Sequence, residues 1–188
     1  MKTILIANQK GGVGKSMLAD EFCYALERDE IIYSLYDLDQ QGSLTHEAVE
    51  RENAAVAIVD TPGALQGEMK KWIDAADLII IPTLLTRKDK APLERMIKII
   101  EPYLGKKSIL FVLNEWDRTK MTKDFCRWFE NSYPECKSAV LTRTTSFPQA
   151  DACNMSIVEF APKSQGANQI SGIWAYIKTE LNLKEGWR

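Results

Sequence analysis

The chain has 188 residues and a formal net charge of -2, with 45% hydrophobic and 27% charged residues. This length predicts a single domain, residues 1–188, whose hydrophobic core is large enough to need no disulfide or structural metal. The proportions of hydrophobic and charged residues are typical of a soluble globular protein. Because the chain is slightly acidic overall, its net charge gives no support for nucleic-acid binding. Such a role would need a local basic patch.

The cysteines and the N-terminal region favour a cytoplasmic protein. Cys23, Cys126, Cys136 and Cys153 lack metal-site spacing, because the closest pair is ten residues apart. We expect small, buried or half-buried thiols in a reducing compartment. No signal region opens the sequence, and no apolar run approaches the roughly 18 residues that a membrane span needs.

Short apolar runs alternate with helical patterns along the chain. Continuous apolar runs predict strands at 3–7, 31–36, 56–59, 78–82, 109–113 and 139–141. A polar helix is predicted from about Ser43 to Asn53. Apolar residues at helical spacing predict four further helices, carried by Leu18, Phe22, Ala25 and Leu26, by Leu93, Met96, Ile97, Ile100 and Leu104, by Met121, Phe125, Trp128 and Phe129, and by Ile170, Ile173, Trp174, Ile177 and Leu181.

This alternation predicts the fold class and the place of a ligand. Buried strands separated by amphipathic helices indicate an α/β fold with a doubly wound, mostly parallel sheet and helices on both faces. Ligands of such folds bind at the carboxyl ends of the strands. A glycine-rich loop, Asp39, Asp60 and Asn114 all follow predicted strands, so we expect them at that edge.

The loop at residues 8–16, NQKGGVGKS, predicts a phosphate-binding site. Its glycines free the backbone to turn successive N–H groups toward an anion, and the following helix directs its positive end to the same place. Lys15 would pair with the β and γ phosphates, and the Ser16 hydroxyl would hold magnesium. The standard pattern has glycine where this chain has Gln9, and Lys10 is an additional cation.

Lys10 is the unusual member of this loop. Within one subunit it would place a like charge beside Lys15, whereas across an interface it could reach phosphates bound by a neighbour. A cation supplied in trans to a phosphoryl transition state is worth roughly 10³–10⁵ in rate.

The lysine-first loop, Lys10-Gly11-Gly12-Val13-Gly14-Lys15-Ser16, resembles the deviant Walker A motif of the ParA/MinD family of P-loop ATPases. The resemblance covers nearly the whole chain, in order. It continues in the segments DLDQQGSLT (37–45), IVDTP (58–62), IIP (80–82), VLN (112–114) followed by DRT (117–119), Arg143 with FPQA (147–150), and IVEFAPKS (157–164).

The resemblance implies an Mg²⁺-dependent ATPase, weak without a partner, that forms an ATP-sandwich dimer in which Lys10 contacts the nucleotide of the other subunit. It implies that Asp39 orients the attacking water, and that Asp37, Asp39 and Asp60 lie near the magnesium shell with Ser16. It further implies nucleotide contacts by Gly11, Gly12, Val13, Gly14, Lys15, Ser16 and Met17, with Asn114 and the backbone around Pro162 at the adenine. Alternatively, each aspartate at a strand end simply caps the next turn.

The chain departs from the family pattern at several positions. Gln40 replaces a proline that normally stiffens the switch after Asp39, Met17 replaces a common threonine, and Ala64 replaces a frequent proline. The segment 45–56 is also short, which puts in doubt any partner contact that the family makes there. None of these changes removes a catalytic group.

The leading interpretation is an ATP-switched partition or positioning protein. The resemblance implies nonspecific DNA binding by an ATP-dependent homodimer, nucleoid association in the ATP state, and a ParB-like or other adaptor that stimulates hydrolysis as plasmid or other DNA cargo is segregated. Candidate phosphate contacts are Arg118, Lys120, Lys123, Arg143 and Lys163, with Lys88 and Lys90 as further possibilities. Arg143 resembles a DNA-contacting position of ParA proteins, and any one of these cations is equally compatible with an ordinary solvated surface charge.

Other functions remain open at this stage. A MinD-like membrane-associated role would need a basic amphipathic tail, whereas residues 181–188 are short and contain a glycine and an acid. An ATPase that positions a protein cargo and a ligase-type relative are also compatible with the sequence. An iron-protein role conflicts with the lack of cysteine between residues 60 and 71. His46, the one histidine, is expected at a solvent-facing helix start.

Overall fold

The computed structural model describes residues 1–39, 44–63, 69–184 and 186. Within these ranges, six strands form one sheet in the order β2-β3-β1-β4-β5-β6. All neighbouring strands pair in parallel. The strands are β1 (Lys2–Ile6), β2 (Tyr33–Asp37), β3 (Val56–Asp60), β4 (Leu78–Leu84), β5 (Ser108–Trp116) and β6 (Ser138–Thr142).

Helices cover both faces of this sheet. They are α1 (Lys15–Arg28), α2 (Met69–Ala75), α3 (Lys90–Ile100), α4 (Lys120–Ser132), α5 (Ser146–Ala152), α6 (Ile157–Phe160) and α7 (Gln165–Leu181), with short 3₁₀ helices at Arg87–Asp89 and Glu101–Tyr103. The buried side chains of α1 and α7 form one core with one face of the sheet. Those of α2, α3 and α4 form a second core on the opposite face.

The central strand β1 shows why the apolar runs are continuous. Ile4 and Ile6 belong to the core under α1 and α7, whereas Leu5 and Ala7 belong to the core under α2, α3 and α4. Successive side chains of a strand point to opposite faces, so a strand covered on both sides is apolar at every position. The predicted doubly wound parallel fold is therefore confirmed.

The predicted polar helix between Ser43 and Asn53 is wrong over its described part. Residues 44–53 contain no helix. Instead, Val49 pairs with Leu35 in an isolated antiparallel bridge, with N···O distances of 2.7 and 3.0 Å. Because β2 is an edge strand, its outer backbone groups need partners, and this segment supplies them.

Three smaller expectations also differ from the structure. Met121 is 50% exposed, because the buried stripe of α4 consists of Thr122, Phe125 and Phe129. Cys153 is exposed at the end of α5 rather than buried. Leu104 is only half-buried and lies beyond α3, after the 3₁₀ turn that follows it.

Some predictions fall outside the described residues. Gln40, Ser43 and Ala64 are among these, and the C-terminal tail is described only through residue 184 and at Gly186. Across the described parts of the chain, no helix combines the length and the apolar character needed to cross a bilayer.

Candidate functional site

The glycine-rich loop connects β1 to α1 at the point where the chain order of the sheet reverses. The connection that leaves β1 runs to the β2 side of the sheet, and the connection that leaves β4 runs to the β5 side, so the chain order reverses between β1 and β4. Folds of this class bind their ligands at such a reversal, at the carboxyl ends of the strands. Gly14 is the N-cap of α1 at φ 97°, and Gly12 lies at φ 69°. Both angles are in the left-handed region that glycine adopts without strain, and α1 begins at Lys15 with its N–H groups toward the loop.

Asn8 holds the start of the loop, a role that the sequence reading missed. Its buried side chain donates from Nδ2 to the carbonyl oxygen of Pro82, 2.7 Å away, and its Oδ1 accepts from the backbone N–H of Lys10 at 2.9 Å. The loop is thereby fixed to the end of β4. The only signal in the sequence is an asparagine directly after a buried strand, a position that suits side-chain hydrogen bonds to the backbone.

Lys15, the first residue of α1, is a buried cation at the end of the loop. The residue is 4% exposed, and its Nζ donates to the carbonyl oxygen of Lys10 at 3.2 Å. Burial lowers the pKa of this ammonium group, while the carboxylates of Asp60 and Asp39 act in the opposite direction. A bound anion would favour the charged form of Lys15, as a phosphate-binding role requires.

Asp60 ends β3 beside the first turn of α1. The Ser16 hydroxyl donates to its Oδ2 at 2.6 Å, and the carboxyl is fully buried. Among the described residues, its Oδ1 has no hydrogen-bond partner. Burial raises the pKa of Asp60 to about 6, helped by Asp37 and Asp39 and opposed by Ser16 and Lys15.

These groups fit a magnesium ion. A buried carboxylate oxygen with no partner, next to a hydroxyl, offers the hard oxygen ligands that Mg²⁺ prefers. The described residues contain no group of three or more His, Cys, Asp or Glu side chains that could hold a metal by themselves. This arrangement suits an ion that takes few protein ligands and completes its shell with water and phosphate oxygens.

Asp37 ends β2 and Asp39 follows it at the same edge of the sheet. The backbone N–H of Asp39 donates to Oδ1 of Asp37 at 2.9 Å, and that of Leu38 donates to the carbonyl oxygen of Asp60 at 3.0 Å. Asp37 therefore makes the turn contact that the sequence left open as its alternative role. Asp39 is half-buried and close enough for its charge to act on Lys15 and Asp60.

Asn114 contacts the loop from the opposite side. Its Nδ2 donates to the carbonyl oxygen of Val13 at 3.0 Å, and a Cβ added to Gly14 would lie 2.4 Å from that nitrogen. The register of β5 against β6 shifts between Leu113 and Trp116, and Glu115 takes φ 55°. Such a bulge re-aims side chains next to a site.

A cavity of about 780 Å³ opens beside the loop and Asn114. Its volume and mixed lining suit the base and sugar of a nucleotide. The lining consists of Gly12, Gly14, Met17, Asp20, Glu21, Tyr24, Asn114, Glu115, Thr142, Arg143, Thr144, Thr145, Phe147, Pro148, Asp151 and Met155. Pro162 is not among these lining residues; it is exposed and follows the C-cap of α6. Phe147, Pro148 and Met155 supply apolar side chains to the lining.

The Lys10 side chain is paired with a carboxylate outside the glycine-rich loop. Its Nζ pairs with Oδ1 of Asp89, which is 1% exposed and ends the 3₁₀ helix before α3. The other carboxylate oxygen of Asp89 accepts from the backbone and the hydroxyl of Thr86. Gly11, the next residue of the loop, packs closely against Gly63. A Cβ added to Gly63 would lie 2.9 Å from the backbone nitrogen of Gly11.

The expectation of a solvent-facing helix start at His46 is wrong. The His46 side chain is 13% exposed, and its Nδ1 lies 2.7 Å from Oδ1 of Asp20 on α1. Asp20 also accepts from the backbone N–H groups of Thr45 and His46 at 3.0–3.1 Å. Thr45 and His46 are thus held to α1 by the carboxylate of Asp20, which also lines the cavity.

The candidate DNA contacts do not all share one location. Arg118, Lys120, Lys123 and Lys163 are exposed, as is Lys88, whereas Lys90 is half-buried. Arg143 is exposed and lines the cavity next to the loop.

Comparison with known proteins identifies a matching family. The CobQ/CobB/MinD/ParA nucleotide binding domain matches residues 4–157. No curated protein sequence matches the chain.

Similar solved structures share the fold. An ATP complex of a Cyanothece McdA variant has a TM-score of 0.78 at 18% identity, over 98% of this chain and 97% of that one. A ParA family ATPase from Chlorobium tepidum has a TM-score of 0.73 at 15% identity, over 93% and 98%. The Pyrococcus horikoshii septum site-determining protein MinD, complexed with Mg-ADP, has a TM-score of 0.69 at 13% identity, over 94% and 95%.

The identities are low enough that these structures establish the fold alone, whereas the family match covers most of the chain. The predicted resemblance is confirmed: the chain belongs to the CobQ/CobB/MinD/ParA nucleotide binding domain family.

Proposed function

We propose that this chain is an Mg²⁺-dependent partition or positioning ATPase. ATP would close two chains into a dimer that binds DNA without sequence preference. A ParB-like or other adaptor would stimulate hydrolysis, and the cycle would segregate a plasmid or another DNA cargo. In the ATP state the protein would associate with the nucleoid.

The placement of Lys10 carries this proposal. A second lysine in a phosphate loop has no use within its own site, because Lys15 already provides the buried cation there. The Lys10 side chain instead pairs with Asp89, on the 3₁₀ helix that follows β4. From this position Lys10 would leave Asp89 to contact the nucleotide of a second subunit, as the family resemblance implies.

The remaining groups divide the chemistry of hydrolysis between them. Lys15 and the backbone N–H groups around Gly12 and Gly14 would hold the phosphates and stabilise the charge that develops on them. Ser16 and Asp60 would hold Mg²⁺, which neutralises phosphate charge when bound. Asp39 would accept a hydrogen bond from the attacking water and orient it.

The test is the retention of an Asp39→Ala variant on random-sequence duplex DNA, with ATP and with ADP, together with its oligomeric state. We expect this variant to bind ATP, to hydrolyse it at least 10-fold more slowly than the wild type, and to accumulate as a DNA-bound dimer. Adding Lys10→Ala to this variant should abolish the ATP-dependent dimer and the retention together.

Retention that is equal with ATP and ADP, or absent with both, would contradict the DNA-riding cycle. Anionic liposomes are the parallel surface in this experiment. ATP-dependent capture on liposomes without capture on DNA would place the protein with the membrane-associated positioning ATPases.

A further inference from the structure

The positive charge of this acidic chain is concentrated in one stretch. Residues 87–130 contain eleven Lys and Arg against seven Asp and Glu, which is a net charge of +4. The rest of the chain then carries -6, since the whole chain carries -2. This stretch comprises α3, β5 and the first eleven residues of α4, and β5 is covered on both faces, so most of the positive charge lies on the two helices and their connections.

Three exposed cations lie along the solvent side of α3 and its 3₁₀ entry, where exposed Glu94 is the one acid of α3. Lys88, Arg95 and Lys98 are all exposed, and their spacing of seven and then three residues places them on one side of the helix and its 3₁₀ entry. Leu93, Met96, Ile97 and Ile100 fill the opposite side and are buried.

On α4, the same pattern recurs. Lys120, Lys123 and Arg127 are exposed at spacings of three and four residues. Of the acids on this helix, Asp124 lies 3.6 Å from Arg127, and Glu130 follows near the helix end. Because both members of the Arg127–Asp124 pair are well exposed, the pair is weak and leaves Arg127 available to another anion.

The two helices are neighbours. Both pack into the core on the same face of the sheet, and the Lys90 ammonium lies 4.3 Å from the centre of the Trp128 ring. Lys88, Arg95 and Lys98 on one side and Lys120, Lys123 and Arg127 on the other therefore form one surface, which we call the basic face. None of these six residues lines the nucleotide cavity.

We infer that the basic face binds the phosphate backbone of duplex DNA. The inference rests on the DNA-binding part of the proposed function and identifies the surface that would contact the DNA. Lys88 and Lys98 are ten residues apart across the 3₁₀ entry and α3, a span of about 15–20 Å, and packed helices lie about 8–10 Å from each other. A duplex carries about one phosphate per 1.7 Å of axis, so a surface of these dimensions meets several phosphates at once.

A duplex suits this surface better than a membrane does. Helices that lie in a lipid interface present large apolar side chains beside their cations. Of the described residues of α3 and α4, only Met121 is a large apolar side chain classed as exposed. Arginine and lysine contacts to phosphates need no such neighbour.

The test measures how retention on random-sequence duplex DNA depends on salt, with ATP, in the Asp39→Ala chain. One variant adds Lys88→Ala, Arg95→Ala and Lys98→Ala, and a second adds Lys120→Ala, Lys123→Ala and Arg127→Ala. The matched control adds Lys70→Ala, Lys71→Ala and Lys184→Ala, which removes the same net charge from exposed lysines outside the basic face.

Log affinity falls linearly with log salt concentration, and each lost phosphate contact makes this dependence shallower, reducing the magnitude of the slope by about 0.9. We expect the slope to fall by about 2–3 in each basic-face variant and by less than about 0.5 in the control. ATP-dependent dimerisation should remain in all three, since none of the changed residues belongs to the nucleotide site.

A basic-face variant that loses no more slope than the control would overturn the inference while leaving the proposed function intact. If the parent Asp39→Ala chain is not retained on DNA in either nucleotide state, both the inference and the DNA-binding part of the proposed function fail. If capture on anionic liposomes, but not on DNA, falls in the basic-face variants, the surface belongs to a membrane and the inference is overturned.

Discussion

The ammonium group of Lys10 is ion-paired with the buried carboxylate of Asp89 within one chain. Asp89 is held in turn by the backbone and hydroxyl of Thr86, so the carboxylate cannot follow the lysine outward without losing those hydrogen bonds. Lys10 is one-third exposed and has a long, flexible stem. If Lys10 serves a second subunit, it must exchange Asp89 for the phosphates of that subunit, and the ion pair opposes dimer closure.

Asp89→Asn should therefore favour the ATP-dependent dimer. The amide keeps the shape and one acceptor for Thr86 but removes the charge that holds Lys10. A pair between a one-third-exposed lysine and a buried carboxylate contributes at least about 1 kcal/mol, so the dimer should form at a protein concentration at least about 5-fold lower. Analytical ultracentrifugation of the Asp39→Ala background with ATP measures the shift.

The control for this variant is the same protein with ADP, where dimerisation should stay weak. Lys10→Ala together with Asp89→Asn should remove the gain, because the cation itself is then absent. A dimer that forms less readily in Asp89→Asn than in its parent would show that Asp89 supports the closed state instead of opposing it.

Asp60 should limit the stability of the ligand-free protein. Because burial raises the pKa of Asp60 to about 6, ionising this carboxyl at neutral pH costs more free energy in the folded chain than in the unfolded chain. Asp60→Asn should raise the free energy of unfolding at pH 7 by about 1–3 kcal/mol while abolishing the Mg²⁺-dependence of nucleotide binding. Urea unfolding and a nucleotide titration with and without Mg²⁺ measure the two effects.

The pH dependence of this effect has a definite sign. Between about pH 4 and pH 6 the folded chain holds a proton on Asp60 that the unfolded chain has released, so this group lowers stability as pH rises through that window. The advantage of Asp60→Asn should be small near pH 4 and complete above about pH 7. An advantage that does not change with pH would show that packing, and not the carboxylate charge, causes it.

The sheet and the phosphate loop could be predicted because their causes are local. A strand buried on both faces must be apolar throughout, and the order of strand, glycine loop and helix leaves few alternatives for Gly14, Lys15 and Ser16. The Ser16–Asp60 hydrogen bond follows from two strand ends that meet at one edge of a parallel sheet.

The missed features depend on contacts between distant parts of the chain. Residues 44–53 have a helix-compatible composition, but the edge of β2 and the Asp20 carboxylate offer their backbone other partners. The Lys10–Asp89 pair joins residues 79 positions apart, and the parallel pairing of β1 with β4 brings them together. Tertiary contacts of this kind leave no periodic signal in the sequence.

Gly14 and Gly12 should respond differently to substitution by alanine. A Cβ at Gly14 would lie 2.4 Å from the Asn114 amide nitrogen, so Gly14→Ala must displace Asn114 and break its hydrogen bond to Val13. A Cβ added at Gly12 would have no neighbouring atom within 4 Å, so the only cost of Gly12→Ala is the strain of an alanine at φ 69°. We expect a loss of about 2–4 kcal/mol in Gly14→Ala and about 1 kcal/mol in Gly12→Ala, measured by urea unfolding. Equal losses would argue against Asn114 as a wall of the loop.

The His46–Asp20 pair should make stability depend on pH above neutrality. Burial acts to lower the pKa of His46, but the hydrogen bond and charge of Asp20, with Glu27 3.7 Å from the other ring nitrogen, raise it above its ordinary value. A histidine whose pKa is raised by folding contributes stability below its unfolded pKa and loses that contribution as pH rises through the folded pKa. His46→Asn should therefore cost about 1–2 kcal/mol at pH 6 and progressively less toward pH 9.

Thermal unfolding of the wild type and His46→Asn from pH 6 to pH 9 measures this loss. Thr45→Val is the matched control, because it removes the neighbouring hydrogen bond to Asp151 without removing a titratable group, and its cost should not vary with pH. Each variant removes one side-chain contact of residues 45–46, so their comparison isolates the part of the cost that comes from the charge of the imidazole. A cost of His46→Asn that is constant over this range would mean that the imidazole is held as a neutral hydrogen-bond donor to Asp20.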